Sequence, residues 1–366
     1  MRFVFLSYNY SPDITSPEDW LRRIQPYIGS LECLAKTNEV IRIEQINYEG
    51  TLDNNGVRYY FKDYGKRKLY FPNSLHRFVK SFQPDIIVVN GSHYPFQTIQ
   101  LRQRLGRKAR IIVQHHAEKP LGGIKKYLQR LAGHSVDAYL FAAYELGLEW
   151  VKEGNISSDK KIHEVMEVSS FFYEMDRLVA RSRTKAVGSP VFLWVGRLNQ
   201  NKDPLTVISA FLKFLSLQPD ARLYMIYHTA ELLIKIRELL EKNPVHKEKI
   251  LLIGRSPHEE MLYWFNSADF IISGSHYEGS GTAVCEAMSC GCVPIVTDIF
   301  SFRMMTNQGE CGLLYEAGNQ EALQNALLQA VKTDITKEKN KVISQFKEKL
   351  SFEAIAQKIQ EIAASL

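Results

Sequence analysis

Long apolar runs are missing from this chain. "DIIVVNG", "VFLWVG" and "FIISG" are only strand-sized, and no window approaches the ~18 residues of a membrane-spanning helix. A bilayer-crossing helix is therefore not expected. Pro-rich tracts, Gly-rich tracts and repeats of solenoid period are also absent, and 45% hydrophobic with 23% charged residues is the composition of a folded globular protein. The opening "MRFVFLSYNYSPD" turns polar too soon for a signal-peptide core and fits a first β-strand, which leads us to expect a cytoplasmic chain. Cysteine is scarce: Cys33, Cys285, Cys290, Cys292 and Cys311 form an odd set that fits reduced thiols better than a disulfide framework. The CxC pair has no second close pair, so buried apolar thiols are expected in preference to zinc.

Acid is nearly absent from one stretch. Between Leu101 and Arg130, nine Lys or Arg residues face the single acid Glu118, within a chain of net charge +6. Such a run is a solvated face or an anion-attracting surface for nucleic acid, anionic lipid or phosphorylated substrates. Aromatic residues are not interleaved there as a single-strand binder requires, so no nucleic-acid partner is expected.

What is present is alternation. Strand-length apolar runs and helix-length amphipathic stretches follow one another, and 366 residues exceed one ordinary core, which predicts an α/β protein of two βαβ domains. Strands are predicted at 2–7, 40–44, 85–89, 110–114 and 138–142, then at 191–195, 222–227, 249–253, 270–273 and 293–297. The charged segment "YEMDRLVARSRTKAVGSP" before Val191 places the boundary there, giving domains of residues 1–180 and 186–345. Ser16, Asp203 and Ser256 each precede a proline and predict helix caps, with Glu259 completing a capping box for Ser256. A final helix over 346–366 presents Ile355, Ile359 and Ile362 at helical spacing and needs a surface to pack on.

The chemistry concentrates in the second half. "VGRLNQNKD" sets Arg197 and Lys202 around a loop after a strand, and a guanidinium and an ammonium five residues apart suit the oxygens of a diphosphate. In "FIISGSHYEGSGTAVCEAMSC" a strand ends, small residues allow close backbone approach, and a helix begins whose N–H groups favour an anion. Glu278 lies at the mouth of that turn and Glu286 about one turn inside the helix. Acid near a helix start also suits the dipole alone. With the Arg and Lys loop upstream, however, the set reads as a sugar-nucleotide site.

These stretches, with "GECGLLYEAGN" downstream, resemble the C-terminal domain of the family 4 (group 1) glycosyltransferases over about Val191 to Gln320. The resemblance implies a GT-B fold, two Rossmann-like domains facing a central cleft with a C-terminal helix crossing back to the first. It also implies a retaining, metal-independent hexosyl transfer from a UDP- or GDP-type sugar to a hydroxyl of a glycan or lipid-linked acceptor, in cell-surface polysaccharide or lipopolysaccharide synthesis. Carried onto this sequence, it gives Arg197 and Lys202 the diphosphate, Gly279, Ser280, Gly281 and Thr282 the backbone amides, Glu278 the transferred sugar and Glu286 the ribose, with Gly254 and Arg255 near the base. No metal cofactor is expected. A 2-epimerase of the same fold and a non-catalytic binding protein are the alternatives.

The chain departs from the family pattern twice. "YMIYHT" puts Tyr227 and His228 where a glycine-containing turn is usual, and "SYNYSPDITSPEDWLRR" replaces a glycine-rich loop after the first strand. Tyr8, Asp13, Trp20 and Arg23 are the acceptor-side candidates of that loop. The resemblance also implies a histidine after the fourth strand pointing toward the reacting sugar; His116 is preferred and His115 competes for the place. The basic residues Arg104, Arg107, Lys108, Lys125 and Lys126 lead us to expect peripheral contact with an anionic membrane.

Overall fold

In the computed structural model, which describes residues 1–65 and 70–366, the chain forms two compact α/β units. The first comprises Met1–Ser169 with Phe352–Leu366 and the second Ser170–Ser351.

The first unit is built on eight strands: β1 (Arg2–Ser11), β2 (Glu39–Ile46), β3 (Gly50–Asn54), β4 (Val57–Lys62), β5 (Ile86–Asn90), β6 (Arg110–Gln114), β7 (Ala138–Phe141) and β8 (Ile162–Glu164). Their spatial order is β3-β4-β2-β1-β5-β6-β7-β8. β1 lies inside the sheet with Phe3, Val4 and Leu6 fully buried, as a continuous apolar run covered on both faces should be. All five strands predicted here are present. The antiparallel β3–β4 hairpin was not predicted, although its turn carries the signal: Asn55 and Gly56 both have positive φ (47° and 82°), as a two-residue hairpin loop requires.

The second unit is a six-stranded parallel sheet of β9 (Val191–Gly196), β10 (Arg222–Tyr227), β11 (Ile250–Gly254), β12 (Phe270–Ser273), β13 (Val293–Thr297) and β14 (Leu313–Tyr315). The order β11-β10-β9-β12-β13-β14 reverses direction between β9 and β12. That switch point is where open parallel sheets bind ligands, outside the carboxyl ends of the strands.

The division between units falls earlier than the charged linker suggests. Asp176 caps the helix Arg177–Thr184 by accepting from the Leu178 and Val179 N–H groups, and Arg177 then reaches Asp269 at 2.7 Å while Met175 N–H donates to Asn266 at 2.8 Å. The polar segment is thus fastened into the second unit. At the other end residues 346–351 also stay with the second unit, and only the helix Phe352–Ser365 returns to the first. It packs on the helix Gln25–Ala35, burying Ile355, Ile359 and Ile362. Gly29 makes this possible, because a Cβ there would sit 2.4 Å from the Phe352 ring. Ser16 and Asp203 cap as predicted, accepting from Asp19 and Thr206 N–H at 3.2 Å. Ser256 does not: a short tight turn, His258–Glu260, precedes the helix Met261–Ser267, and no side chain caps either.

Candidate functional site

Two loops meet at the β9/β12 switch point. Residues 197–203 follow β9 and residues 274–281 follow β12, and Gly274 lets them touch: a Cβ there would lie 3.1 and 3.2 Å from the Asp203 and Lys202 carbonyls. Hydrogen bonds then fix the contact. His276 N–H donates to the Asn201 carbonyl at 2.8 Å, Asn201 Nδ2 donates to the Tyr277 carbonyl at 3.0 Å, and His276 Nε2 lies 3.2 Å from Asp203. Across this seam Lys202 Nζ pairs with the Glu278 carboxylate, so two of the residues singled out in the sequence are in direct contact. Arg197 stands exposed at the start of the first loop.

The second loop runs into the helix Thr282–Ser289. Gly281 enters it with φ 58°, and a Cβ there would press 2.7 Å against the Phe302 ring, so glycine is required twice over. Ser301 Oγ sets the turn by donating to the Glu278 carbonyl at 2.6 Å and the Gly279 carbonyl at 3.0 Å. No side chain caps this helix. Its first N–H groups carry the positive end of the helix dipole just beyond the Lys202–Glu278 pair, an electrostatic setting for an anion.

Glu286 is buried one turn inside the helix and bonds His258 Nε2 at 2.7 Å. His258, a residue that the sequence did not single out, stacks at a tilt over Phe172 with ring centroids 5.0 Å apart. The Glu286 hydrogen bond raises the His258 pKa against the opposing effect of burial. This pair bridges 28 positions of sequence and has no local signature. Gly254 ends β11 with φ 82° and Arg255 beyond it is exposed. Tyr227 ends β10 half-buried beside Gly196, and His228 is exposed. The carboxylates Glu278 and Glu286 thus occupy the two ends of one helix-start turn, each already held by a cation or histidine.

The first unit sorts its candidates by burial. Tyr8 is fully buried, its hydroxyl 2.7 Å from His76 Nε2 and its ring against Tyr94. Trp20 is 6% exposed beneath the Arg23 guanidinium, which also reaches Asp13 at 3.4 Å. Packing, not ligand contact, therefore explains Tyr8 and Trp20, whereas Asp13 and Arg23 stay on the surface. His115 is likewise core: it stacks on Phe141 at 4.6 Å, and its Nε2 donates to the Glu118 carbonyl at 2.8 Å. The acceptor-side readings of Tyr8, Trp20 and His115 are revised accordingly.

His116 is the neighbour left partly open. Its Nδ1 donates to Glu167, its ring edges Tyr27, and burial lowers its pKa to about 4. The ring is therefore neutral at pH 7 with Nε2 carrying the lone pair. Glu118 sets the backbone around it, accepting from Ser92 N–H and His116 N–H at 2.6 Å each and so joining the loops after β5 and β6. Cys285, Cys290, Cys292 and Cys311 are buried thiols, and burial pushes Cys290 and Cys311 up to about 12. Among the described residues no cluster of three His, Cys, Asp or Glu side chains forms a metal site.

Comparison with known proteins bears on the same half. Residues 177–349 match the family described as Glycosyl transferases group 1. Over 147 residues the chain is 29% identical to the poly(glycerol-phosphate) alpha-glucosyltransferase of Bacillus subtilis, a match covering 40% of this chain and 21% of that protein. The chain spans between 21% and 40% of the length of the curated relatives it matches. Along its full length it superposes on a glycosyltransferase from Rickettsia africae with a TM-score of 0.75 and 16% identity, covering 100% of this chain and 98% of that one. Anabaena HepE, solved in complex with UDP, gives a TM-score of 0.75 at 12% identity with 100% of both chains covered. Such distant likeness shows the fold, the two-unit GT-B architecture that the sequence motifs imply. The segment 177–349, with its helix-start turn and paired carboxylates, is thus similar to the group 1 glycosyl transferases, and the whole chain has the fold of the solved glycosyltransferases.

Proposed function

We propose that this chain transfers a hexosyl group from a nucleoside diphosphate sugar, UDP- or GDP-linked, to a hydroxyl of a glycan or lipid-linked acceptor, with retention at the anomeric carbon. The observation that carries the reading is the meeting of loops 197–203 and 274–281 at the β9/β12 switch point, where Lys202 reaches Glu278 just before an uncapped helix start. A diphosphate there receives backbone N–H groups and two cations, which stabilise the leaving charge without a metal. Glu286 is suited to a ribose diol and Glu278 to hydroxyls of the transferred sugar. That a similarly folded protein was solved with UDP agrees with this placement.

In the reaction the acceptor oxygen bonds to the anomeric carbon while the bond from that carbon to the diphosphate oxygen breaks, and the departing oxygen takes the acceptor proton. Neither glutamate acts as a covalent nucleophile. In the first unit we assign the reacting-sugar role to His116, whose neutral ring is oriented by Glu167. The test is a panel of UDP- and GDP-hexoses with glycan and glycosyl-lipid acceptors, the anomeric configuration of the product being read by NMR. A product of retained configuration that disappears in Glu278→Ala, and Glu286→Ala raising KM for the donor, support the assignment; inverted product, or activity equal in both variants, overturns it.

A further inference from the structure

Asp203 does more than a helix cap requires. It enters the helix Pro204–Leu215 at φ 42°, in the left-handed region that Asp and Asn tolerate better than most side chains. One oxygen, Oδ1, accepts from Thr206 N–H at 3.2 Å, and a single acceptor is all that a cap needs. The other, Oδ2, accepts from His276 Nε2 at 3.2 Å, across 73 positions of sequence. A carboxylate only accepts, so the imidazole is the donor, and a neutral or a charged ring can carry that Nε2–H.

His276 is held from three sides although its side chain is 46% exposed. Its backbone N–H donates to the Asn201 carbonyl at 2.8 Å, its ring reaches Asp203, and Gly318 walls the ring, since a Cβ at that positive-φ position (75°) would lie 3.3 Å from Cε1. Gly318 comes from the loop between β14 and the helix Gln320–Ala330, so the loops after β9, β12 and β14 meet on this one ring. Tyr315 fastens the third of them, its hydroxyl donating to the Ser273 carbonyl at 2.9 Å.

The tether sits beside the charged pair on both loops. Lys202 is the residue directly before Asp203 and Glu278 the second after His276, and consecutive Cα atoms are only about 3.8 Å apart. A contact fixed at Asp203 and His276 therefore fixes where the Lys202 and Glu278 side chains start, and those two meet. We propose that His276 is a positioning residue of the diphosphate site: through Asp203 it holds loop 197–203 against loop 274–281, so that Lys202 presents its ammonium beside Glu278, just before the helix Thr282–Ser289. The inference rests on the donor reading of this site and adds to it a residue that acts on the phosphates through Lys202.

The experiment is calorimetric titration of the full chain with UDP, GDP and ADP in EDTA, the nucleotide that binds then being followed in His276→Ala, His276→Gln, Lys202→Ala and the Lys202→Ala, His276→Ala double variant. His276→Ala should bind at least about tenfold more weakly, while His276→Gln, whose amide N–H donates at similar reach, should stay within about threefold of the wild type. In the Lys202→Ala background, losing His276 should weaken binding no further, a result that general loosening of the fold would not produce. Without nucleotide, amide hydrogen exchange in residues 199–203 and 274–280 should be faster in His276→Ala than in the wild type or His276→Gln. Equal affinity in His276→Ala, no recovery with glutamine, or an undiminished effect in the Lys202→Ala background overturns the proposal. If the wild type binds none of the three nucleotides, the donor reading falls and takes the phosphate role of His276 with it; unchanged exchange in His276→Ala removes the tether itself.

Discussion

Tyr8 illustrates what a single residue reveals only once it is placed. In sequence it is an aromatic beside a strand end, compatible with a sugar contact; in the fold its hydroxyl is hydrogen-bonded at 2.7 Å to Nε2 of a buried His76 whose pKa burial lowers to about 4. Tyr8→Phe should therefore leave kcat and KM unchanged while costing ~1–3 kcal/mol of stability, the penalty of an unpartnered buried polar group, measured by urea unfolding. His258 makes the opposite kind of case. Its pKa is raised above the ordinary 6.5 by Glu286, so the stability it contributes is complete below pH ~6.5 and is lost as pH rises through the raised value. The same titration should govern a ligand, because charged His258 holds the carboxylate that a ribose diol needs. UDP affinity should rise as pH passes upward through the His258 pKa, and His258→Gln should remove that dependence in calorimetry. The sequence pointed to Glu278, Glu286, Arg197 and Lys202 as candidates because their motifs are local; the His258–Glu286, His116–Glu167 and Ser92–Glu118 contacts stayed hidden because each spans 20 or more positions of chain.

Among the elements, those whose interior decides them were legible. Ten strands were predicted and found because parallel strands buried on both faces read as apolar runs. β8 and β14 escaped because three residues are too few to show a period, and the β3–β4 hairpin because its strands alternate buried with exposed positions. The unit boundary was placed too late for a related reason: Arg177 and Arg181 look like linker residues, yet they bond Asp269 and Ser267 of the second unit. Two glycines carry element-scale predictions. Gly281→Ala places a side chain at positive φ and against Phe302, which should cost ~1–3 kcal/mol and distort the helix start on which phosphate binding depends. UDP affinity and melting temperature should fall together. Gly29→Val drives a side chain into Phe352 and should loosen the returning C-terminal helix at a similar cost, read as faster hydrogen exchange in residues 352–365 while UDP affinity holds.

At the scale of the molecule, the second unit is a parallel sheet and the first a parallel sheet with one antiparallel edge strand, β3; the strand order of each reverses, so each offers a switch point. In the second that point is furnished with Lys202, an uncapped helix start and two carboxylates, whereas in the first His116, oriented by Glu167, follows β6, one strand beyond the β1/β5 switch. This asymmetry is why the sequence offered more candidates in the second unit than in the first: loops suited to phosphate and ribose carry a local pattern, whereas an acceptor imposes only a surface. The central claim is that the second unit binds a nucleoside diphosphate at the turn between Glu278 and Glu286. Its most direct test is calorimetric titration of the full chain with UDP, GDP and ADP in EDTA, repeated on Glu286→Ala. The account predicts micromolar binding of one nucleotide in the wild type and at least about tenfold weaker binding in the variant. Failure of all three to bind, or equal affinity in the variant, would contradict it.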